Sequence, residues 1–556
     1  MPGGLLNLVS YGNQNIILNG NPSKTMFKTK YAKYTNFGLQ KFRIDFDGLR
    51  TLRMNESSRF KFKIPRYAEL LMDTYLVVSL PTIWSPIYPP TCSGKWKPYE
   101  FRWIKNLGTQ MIKEVTFLVG GQIIQKFSGQ YLQNLVERDF SETKKNLYYN
   151  MTGNVPELND PANAGTRVNV YPSAYYDGTD LGTEPSIRAR KLYIPINAWF
   201  TLAAKMAFPL VSLQYNEFYI DIELRPINEL YTVRDVTSDN MNYQQANQND
   251  ELFQFYRFLQ QPPNVQLDYT NVDKRTNWAA DVHIISTYAF LSEDEVKVFA
   301  AEQQQYLIKE VYEYKFPNVT GSKKVLLDSL SMVANWMWFF QRSDAFMRNE
   351  WSNYTNWPYD YLPSDLQHPS AQNGYAPIVL TCGTYTPATD PTTTFSDEGV
   401  YYNQTSIWVT GRYNVANQKD IMQTWGLLLD GKYRENDFDA GVFNYIEKYA
   451  RSAGNSPDGL YCYNFNINSS PFDFQPSGAM NLSKFKNIEF EFTTYQPPLD
   501  PSAQIFNICN PDGDLVIGVN KPTWRLYDYN YDLTVFEERF NVLTFMSGNA
   551  ALMYAR

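Results

Sequence analysis

Apolar and polar residues alternate in short runs along this chain, and proline, glycine or asparagine punctuates each run. In YNEFYIDIELRP, residues 215–226, the apolar positions are Phe218, Ile220, Ile222 and Leu224. A period of two puts these four side chains on one face of a half-buried β-strand. We therefore predict that they lie in a hydrophobic core.

The same pattern returns in the second half of the chain. In FKNIEFEFTTYQPP, residues 485–498, Ile488, Phe490 and Phe492 alternate with polar residues before Pro497. Short strands separated by turn residues, with hardly any long helical period, are typical of antiparallel sheets packed face to face. The returning strand predicts an all-β protein with two similar β-sandwiches.

A polar segment separates two series of strands. The first series ends at Pro226, and residues 232–279 are rich in Asn, Gln, Asp and Pro, which hydrogen-bond locally and bury little surface. A second series begins at DVHIISTYAF. We therefore predict a domain linker over residues 232–279 and a second unit that starts at residue 280.

Two local signals predict short helices. A glutamine followed by a basic residue, at 125–126 and again at 341–342, follows an apolar strand and precedes a short amphipathic segment. This agreement is either a trace of duplication or a coincidence, since β-sandwiches often carry a helix at a sheet corner. Ser292 and Glu295 match a capping box and predict a helix start directly after a strand.

Composition favours a β-protein that associates with itself. Aromatic residues make up 16% of the 556 residues, and rigid rings favour strands and interfaces. The formal net charge of -7 argues against direct nucleic-acid binding, which needs a basic field. The basic stretch RFKFKIPR alternates with apolar residues, which indicates the solvent face of a strand.

The chain offers no catalytic or metal-binding constellation. Its two histidines, His283 and His368, are too few for a zinc site, and nucleophile-elbow, P-loop and dinucleotide motifs are absent. The pair Gly120-Gly121 fits a hairpin or bulge. The four cysteines are too widely spaced for a CxxC pair: Cys92, Cys382, Cys462 and Cys509. We predict no catalytic residue, no metal site and no cofactor, with the cysteines reduced.

Acidic pairs and glycosylation motifs carry less weight. Glu537-Glu538 and the pair Asp512 and Asp514 could serve glycosidic cleavage or hold calcium, but we interpret them as structural, because NPDGD is first a turn and lacks the further EF-hand ligands. An asparagine-rich chain produces N-x-S/T acceptors by chance, and whether they bear sugar stays open. These acceptors are Asn55, Asn150, Asn318, Asn353, Asn403, Asn468 and Asn481.

The N-terminus MPGGLLNLVSYG does not predict a targeting signal. It has no basic residue before Lys24 and only a short apolar run, and Pro2 excludes N-myristoylation. No stretch approaches the ~20 apolar residues of a membrane span. We expect a protein made and kept in a cytosol-like setting.

Several segments carry motifs that point to one family. They are GNPSKTMFKTKYAKYTNF near the N-terminus, IKNLGTQMIKEVTFLVGGQIIQKFSGQYL and KLYIPINAWFTLAAKMAFPLVSLQYNEFYIDIELRP further on, and YAFLSEDEVKVFAAEQQQYLIKEV, QPSGAMNLSKFKNIEFEF and NVLTFMSGNAALMYAR in the second half. In this order they resemble the blocks of the major capsid proteins of nucleocytoplasmic large DNA viruses. Mainly the predicted linker and the long loops stay unmatched.

The resemblance implies a double jelly roll, that is, two tandem eight-stranded antiparallel β-sandwiches with short helices and long loops. We expect an N-terminal arm (1–27), a first jelly roll (28–231), the linker (232–279) and a second jelly roll with long surface loops (280–556). The loops from 352 to 480 look least like the family.

The resemblance also implies a function. We expect a structural protein, not an enzyme, whose homotrimers form pseudo-hexameric capsomers of an icosahedral virion shell assembled in host cytoplasm. The implied partners are neighbouring capsomers, minor capsid and penton proteins, and an internal membrane reached by the N-terminal arm. A glycan-binding or glycan-cleaving β-sandwich is the alternative, because exposed tyrosine and tryptophan also stack on sugars. A spike or fibre head would need a stalk segment that the sequence does not show.

Overall fold

The structure of the protein is a computed structural model. It describes residues 3–85, 87–88, 97–98, 100–167, 171–172, 184–234, 243, 245–246, 254–260, 274–357, 419–497, 506–509, 516–520 and 529–554.

Strands dominate the described residues. Up to residue 291 they are β1 (Phe37–Asp45), β2 (Ser58–Lys63), β3 (Leu70–Leu80), β4 (Ile87–Tyr88), β5 (Lys97–Pro98), β6 (Glu100–Trp103), β7 (Ile112–Val119), β8 (Gln122–Phe127), β9 (Arg190–Pro195), β10 (Phe208–Pro209), β11 (Phe218–Leu224), β12 (Tyr231–Arg234) and β13 (His283–Leu291). Beyond it they are β14 (Gln304–Phe316), β15 (Ser322–Leu326), β16 (Met332–Arg342), β17 (Met422–Leu429), β18 (Lys432–Asp439), β19 (Leu460–Asn464), β20 (Met480–Asn481), β21 (Ile488–Thr494), β22 (Phe506–Cys509), β23 (Val516–Asn520), β24 (Tyr531–Met546) and β25 (Asn549–Leu552).

The described helices are short. The α-helices are α1 (Gly3–Val9), α2 (Ile16–Asn19), α3 (Leu107–Gln110), α4 (Gly129–Asp139), α5 (Glu142–Thr152), α6 (Pro156–Asn159), α7 (Phe255–Phe258), α8 (Glu293–Ala301) and α9 (Glu447–Arg451). Single 3-10 turns span Asn13–Asn15, Pro161–Asn163, Ala204–Met206, Leu210–Ser212, Ile227–Glu229, Ala345–Arg348 and Leu482–Lys484. A π-helical turn, Val442–Ile446, runs directly into α9.

Four antiparallel sheets form two sandwiches. In the first sandwich one sheet has the order β1-β13-β3-β9, with β10 also on β3, and the other has the order β2-β11-β7-β8. In the second sandwich the orders are β14-β24-β16-β19, with β20 on β16 and β25 on β24, and β15-β21-β17-β18. The remaining small sheets pair β6 with β12, β4 with β5, and β22 with β23.

The two sandwiches have the same strand order. If the eight strands of the four main sheets are numbered along the chain within each sandwich, the sheets read 1-8-3-6 and 2-7-4-5 both times. Strands β11 and β21, the two alternating runs found in the sequence, are the seventh strand of each. Phe218 and Ile488 are each 2% exposed, and the other core residues predicted on these strands are fully buried. The predicted double jelly roll is confirmed.

One predicted boundary is wrong. Strand β13 was expected to open the second unit, but it pairs with β1 and β3 and is the eighth strand of the first sandwich. The polar stretch from 232 to 279 is therefore an insertion between the seventh and eighth strands, not a linker between domains. Polar composition marks surface segments, and only long-range pairing assigns a strand to a sheet. Helix α8 joins the sandwiches.

Two local predictions need correction. The glutamine-basic pairs lie at 125–126 on a fifth strand and at 341–342 on a third strand, so they are not equivalent and their agreement is a coincidence. The second pair is followed by the 3-10 turn Ala345–Arg348, not by an amphipathic helix. Helix α8 does begin after Ser292, but that side chain makes no capping hydrogen bond.

The glycine pair and the basic stretch have the predicted roles. Gly120 and Gly121, with φ of 56° and 87°, form the two-residue turn of the β7-β8 hairpin, which requires a left-handed backbone. On β2, Arg59 and Lys63 face solvent, and Arg59 binds Asp221 of the neighbouring β11 with an Nη2–Oδ2 distance of 2.5 Å.

Candidate structural site at the junction of the two sandwiches

In sheet β14-β24-β16-β19 the two central strands, β16 and β24, are buried on both faces over most of their length. On β16, Trp338 and Phe340 point into the core of the second sandwich, while Met337 and Phe339 point the other way and join the core of the first. A strand covered on both sides has few polar positions, which explains why β16 reads from its first residue to Phe340 as an apolar run interrupted only by Asn335. The first sandwich therefore covers the face of this sheet that points away from the core of the second sandwich.

Aromatic pairs line this contact. Ring centroids lie 5.6 Å apart for Tyr131 and Phe536, and 5.3 Å apart for Phe208 and Phe545. The first residue of each pair belongs to the first sandwich and the second to β24. Such edge-to-face pairs add to the free energy gained from burying their area, so the junction is a hydrophobic core and not a flexible hinge.

A buried polar network crosses the junction next to these rings. Arg138 of α4 binds Glu538 of β24 at 2.9 Å and its own neighbour Asp139 at 2.6 Å. Its other guanidinium nitrogen donates to Asn335 Oδ1 of β16 at 2.9 Å. Tyr131 donates to Glu538 Oε1 at 2.8 Å. All five side chains are at most 5% exposed.

The charges in this network depend on one another. Burial raises the pKa of Asp139 above its ordinary value, and Arg138 only partly opposes that effect. Burial acts on Glu538 as well, but the charges of Arg138 and Lys309 and the hydrogen bonds from Tyr131 and Asn335 outweigh it, so the pKa of Glu538 is lowered. Removing one member of a buried pair leaves the other charge without compensation. The network is thus specific for one relative orientation of the sandwiches.

Sequence reasoning found only part of this site. Glu537-Glu538 was interpreted as structural; Glu538 binds Arg138, and Glu537 accepts a 2.9 Å hydrogen bond from Trp336 Nε1. Arg138 was missed, because a basic residue near the end of a helix normally faces solvent. Its signal is the apolar surroundings of α4, which only the fold reveals.

A second bridge follows the end of β16. Asn349 donates from Nδ2 to the carbonyl oxygens of Asn228 and Tyr231 in the first sandwich, both at 2.8 Å. The Trp351 indole donates to Glu229 O at 3.0 Å, and the Arg225 guanidinium lies 4.1 Å from the Trp351 ring. Residues 343–357 therefore join the two units independently of the Arg138 network.

An ionic cluster holds this bridging segment in shape. Asp344 binds Arg342 at 2.7 Å and Arg348 at 3.0 Å, and all three side chains are at most 2% exposed. The Arg342 guanidinium also lies 3.6 Å from the Tyr529 ring. Burial alone would raise the pKa of Asp344, but the two guanidinium groups overcome it and hold that pKa well below its usual range.

The depressed pKa of Asp344 gives a testable pH dependence. A carboxyl with a lowered folded-state pKa stabilises the fold above its unfolded value, near pH 4, and loses that contribution as the pH falls towards the folded value. The stability advantage of the wild type over Asp344→Asn should therefore shrink below pH 4. It should fall by about 1 kcal/mol between pH 4 and pH 3, where the unfolded carboxyl is still titrating, and change little between pH 7 and pH 4, as measured by urea unfolding at these three values. A constant difference would contradict this role.

The other residues considered for chemistry lie apart where the structure describes them. His283 is buried on β13, with Nδ1 2.6 Å from Asp281 O. Cys462 is a buried free thiol on β19, and burial raises its pKa to about 11. His368, Asp512 and Asp514 lie outside the described residues, as do Cys92 and Cys382. Within the described ranges, three or more potential metal ligands never cluster, and the helices there are too short or too polar to cross a membrane.

The glycosylation acceptors differ in access. Asn353 is 5% exposed and donates to Trp357 O at 2.9 Å, so it is closed to modification in the folded protein. Asn481 is half-buried, and Asn403 lies outside the described residues. Four acceptors are exposed: Asn55, Asn150, Asn318 and Asn468.

The comparisons with known proteins all point to the same family. The profile "Major capsid protein N-terminus" matches residues 25–272, and "Large eukaryotic DNA virus major capsid protein" matches residues 295–551. The major capsid protein of Phaeocystis pouchetii virus is 24% identical over 589 aligned residues that cover 100% of both chains.

Two solved structures share the fold. The Faustovirus major capsid protein matches with a TM-score of 0.60 and 12% identity over 94% of this chain and 93% of that one. A chain of the PBCV-1 virus capsid matches with a TM-score of 0.57 and 18% identity over 96% of this chain and 100% of that one. The matched relatives are structural capsid proteins, which gives the glycan-binding and glycan-cleaving alternative no support. Motifs, repeated strand order and comparisons agree, and the chain belongs to the major capsid proteins of the nucleocytoplasmic large DNA viruses.

Proposed function

We propose that three copies of this protein form a capsomer with pseudo-sixfold shape, and that these capsomers tile the icosahedral shell of a virion assembled in host cytoplasm. The repeated strand order carries this proposal, because each chain supplies two sandwiches of the same construction. Three chains then present six similar units around one axis. Closed symmetric association is the general rule for oligomers.

The buried junction supports a rigid building block. Aromatic pairs, the Arg138 network and the bridging segment 343–357 all join the sandwiches, so their relative orientation is held by several independent contacts. A lattice held by many weak contacts needs subunits of constant shape. No single contact between subunits is strong enough to fix the relative orientation of two mobile sandwiches.

The predicted trimer can be tested directly. Purified protein should have three times the mass of one 64.6 kDa chain by multi-angle light scattering, since the aromatic content favours a stable interface. Electron micrographs of the same sample should show six-lobed particles. A stable monomer at micromolar concentration would contradict the proposal.

The exposure and the charge of the N-terminal arm support a role for it inside the shell. Within residues 3–36 all side chains except Asn15 are largely exposed, including the apolar Leu8, Ile17 and Phe27 of the arm. This stretch has no acidic residue and four lysines, one in the arm at position 24 and three directly after it at positions 28, 30 and 33. An apolar and basic segment fits an acidic protein surface or an anionic lipid headgroup layer. We propose that the arm contacts minor capsid and penton proteins and an internal membrane.

Deleting residues 1–27 tests this role. The arm buries almost nothing against the sandwiches, so the melting temperature and the trimer mass should stay unchanged within error. Incorporation into shells, measured by co-expression with the other capsid components, should be lost. Normal incorporation would contradict the role of the arm, and loss of folding would contradict its independence.

A further inference from the structure

Within one chain, the two sandwiches contact each other through different surfaces. The fifth strand of the first sandwich, β8, and the helix that follows it, α4, lie against the outer face of sheet β14-β24-β16-β19. Gln125 of β8 donates from Nε2 to Lys309 O of β14 at 3.2 Å. Further along, Tyr131 of α4 reaches Glu538. A fifth strand with its helix thus covers a 1-8-3-6 sheet.

The second sandwich has the same elements, but here they are exposed. Its fifth strand, β18, is the edge of its sheet, and the helical segment 440–451 follows it. On this segment Tyr445 is 58% exposed, Ile446 61% and Tyr449 94%. Residues three and four positions apart share a helix face, and Tyr449 is three positions after Ile446 and four after Tyr445, so these residues form one apolar patch around Tyr449, the helix surface. An exposed edge strand beside it is a further site for association.

The first sandwich offers the matching sheet face. On β1, Phe42 and Ile44 point into the core, so Phe37 and Leu39 point outward, where they are 53% and 55% exposed. The sheet surface consists of Phe37 and Leu39. It lies on the sheet with order 1-8-3-6, whose counterpart in the second sandwich is covered by α4.

We propose that the helix surface of one copy binds the sheet surface of the next copy. The contact that joins the two sandwiches within a chain is then repeated between chains, and the two kinds of contact alternate around a closed ring of three copies. This inference rests on the proposed trimer and names the contact that holds it. Head-to-tail contacts of this kind form rings when the rotation closes.

The chemistry of both surfaces fits a second copy of the chain. Each exposes large apolar side chains, and exposed apolar patches mark protein–protein contacts. Aromatic anchors such as Tyr445 and Tyr449 supply most of the binding energy in such contacts. The sheet surface is mixed, with Lys41 and Arg43 beside its apolar residues, which suits the polar rim of an interface.

Two double variants test the inference. Tyr445→Glu with Tyr449→Glu blocks the helix surface, and Phe37→Glu with Leu39→Glu blocks the sheet surface. Each should raise the dissociation constant of the trimer by about 100-fold or more. The contact loses two apolar side chains, and the two carboxylates that replace them would have to be buried without a partner. By light scattering both should be monomers at concentrations where the wild type is a trimer. Leu326→Glu is the control: Leu326 is 62% exposed on β15, at the opposite edge of the sheet that contains β18, and this variant should remain a trimer.

Mixing the two double variants tests the direction of the contact. Each retains the surface that the other lacks, so an equimolar mixture should form heterodimers that cannot close into rings. If either variant stays trimeric, the assigned contact is wrong, whereas a monomeric wild type would refute the proposed trimer itself. A mixture without heterodimers would overturn the head-to-tail arrangement.

A cross-linking experiment avoids changes of charge. With Leu39→Cys and Tyr449→Cys in one chain whose Cys92, Cys382 and Cys509 are replaced by serine, a bis-maleimide reagent should link neighbouring copies into covalent dimers and trimers. Either single variant should not give these products. Circular dichroism spectra equal to the wild type confirm that the variants fold, as expected for exposed positions. Absence of intermolecular products from the folded double variant would overturn the inference.

Discussion

Replacing Arg138 with methionine is expected to lower the free energy of unfolding by about 3–5 kcal/mol. The side chain is fully buried and binds both Asp139 and Glu538, so its removal leaves two carboxyl groups in the junction without a cation. Because the network joins the sandwiches, we also expect the unfolding curve in urea to separate into two transitions. Circular dichroism and tryptophan fluorescence would follow them.

An exposed arginine provides the matched control for this experiment. Arg53 binds Glu56 at 2.8 Å, but the two side chains are 67% and 72% exposed. Arg53→Met should change stability by at most about 1 kcal/mol, since solvent screens exposed pairs. Adding Glu538→Gln to Arg138→Met should recover part of the loss, because one uncompensated charge disappears. Equal effects of the two arginine substitutions would show that the junction does not depend on the buried network.

Replacing Trp338 with alanine is expected to cost about 3–5 kcal/mol in the second sandwich. Its ring is fully buried between the sheets, with centroids 4.8 Å from Trp425 and 5.1 Å from Phe490. A cavity of this size cannot collapse, because neighbouring rings on three strands fix its walls. Urea unfolding should show the loss as a lower midpoint than that of the wild type.

Trp338→Phe separates packing from hydrogen bonding. The Trp338 Nε1 atom has no hydrogen-bond partner in the described part of the chain, so phenylalanine removes no bond and leaves a smaller cavity. We expect a clearly smaller loss than for alanine, because the cost grows with the volume left empty. An equal loss for both variants would mean that the ring contacts at this position are not what stabilises the core.

The sequence predicts the faces of individual strands well, because alternation follows directly from β geometry. Phe218, Ile220, Ile222 and Leu224 were assigned to the core from their spacing alone, and all four are buried. The turn at Gly120-Gly121 could also be predicted, since only a few residue types accept its backbone. Local chemistry is sufficient for such features.

Features that depend on contacts between distant residues could not be predicted in the same way. Strand β13 has the same local pattern whichever sandwich it joins, and its partners β1 and β3 lie more than 200 residues before it. The burial of Arg138 likewise depends on Glu538, 400 residues later in the chain. The insertion between 232 and 279 looks like a linker, because composition reports exposure to solvent and not topology.

The two-sided burial of the central strands of sheet β14-β24-β16-β19 has a consequence for synthesis on the ribosome. All eight strands of the first sandwich precede residue 292, so this unit can close before β14 leaves the exit tunnel. When the second half of the chain emerges, the folded first sandwich is already present to cover the apolar outer face of this sheet. Nascent chains that are translated close together therefore expose less apolar surface to one another. The order of the two halves along the gene thus lowers the tendency of the chains to aggregate during synthesis.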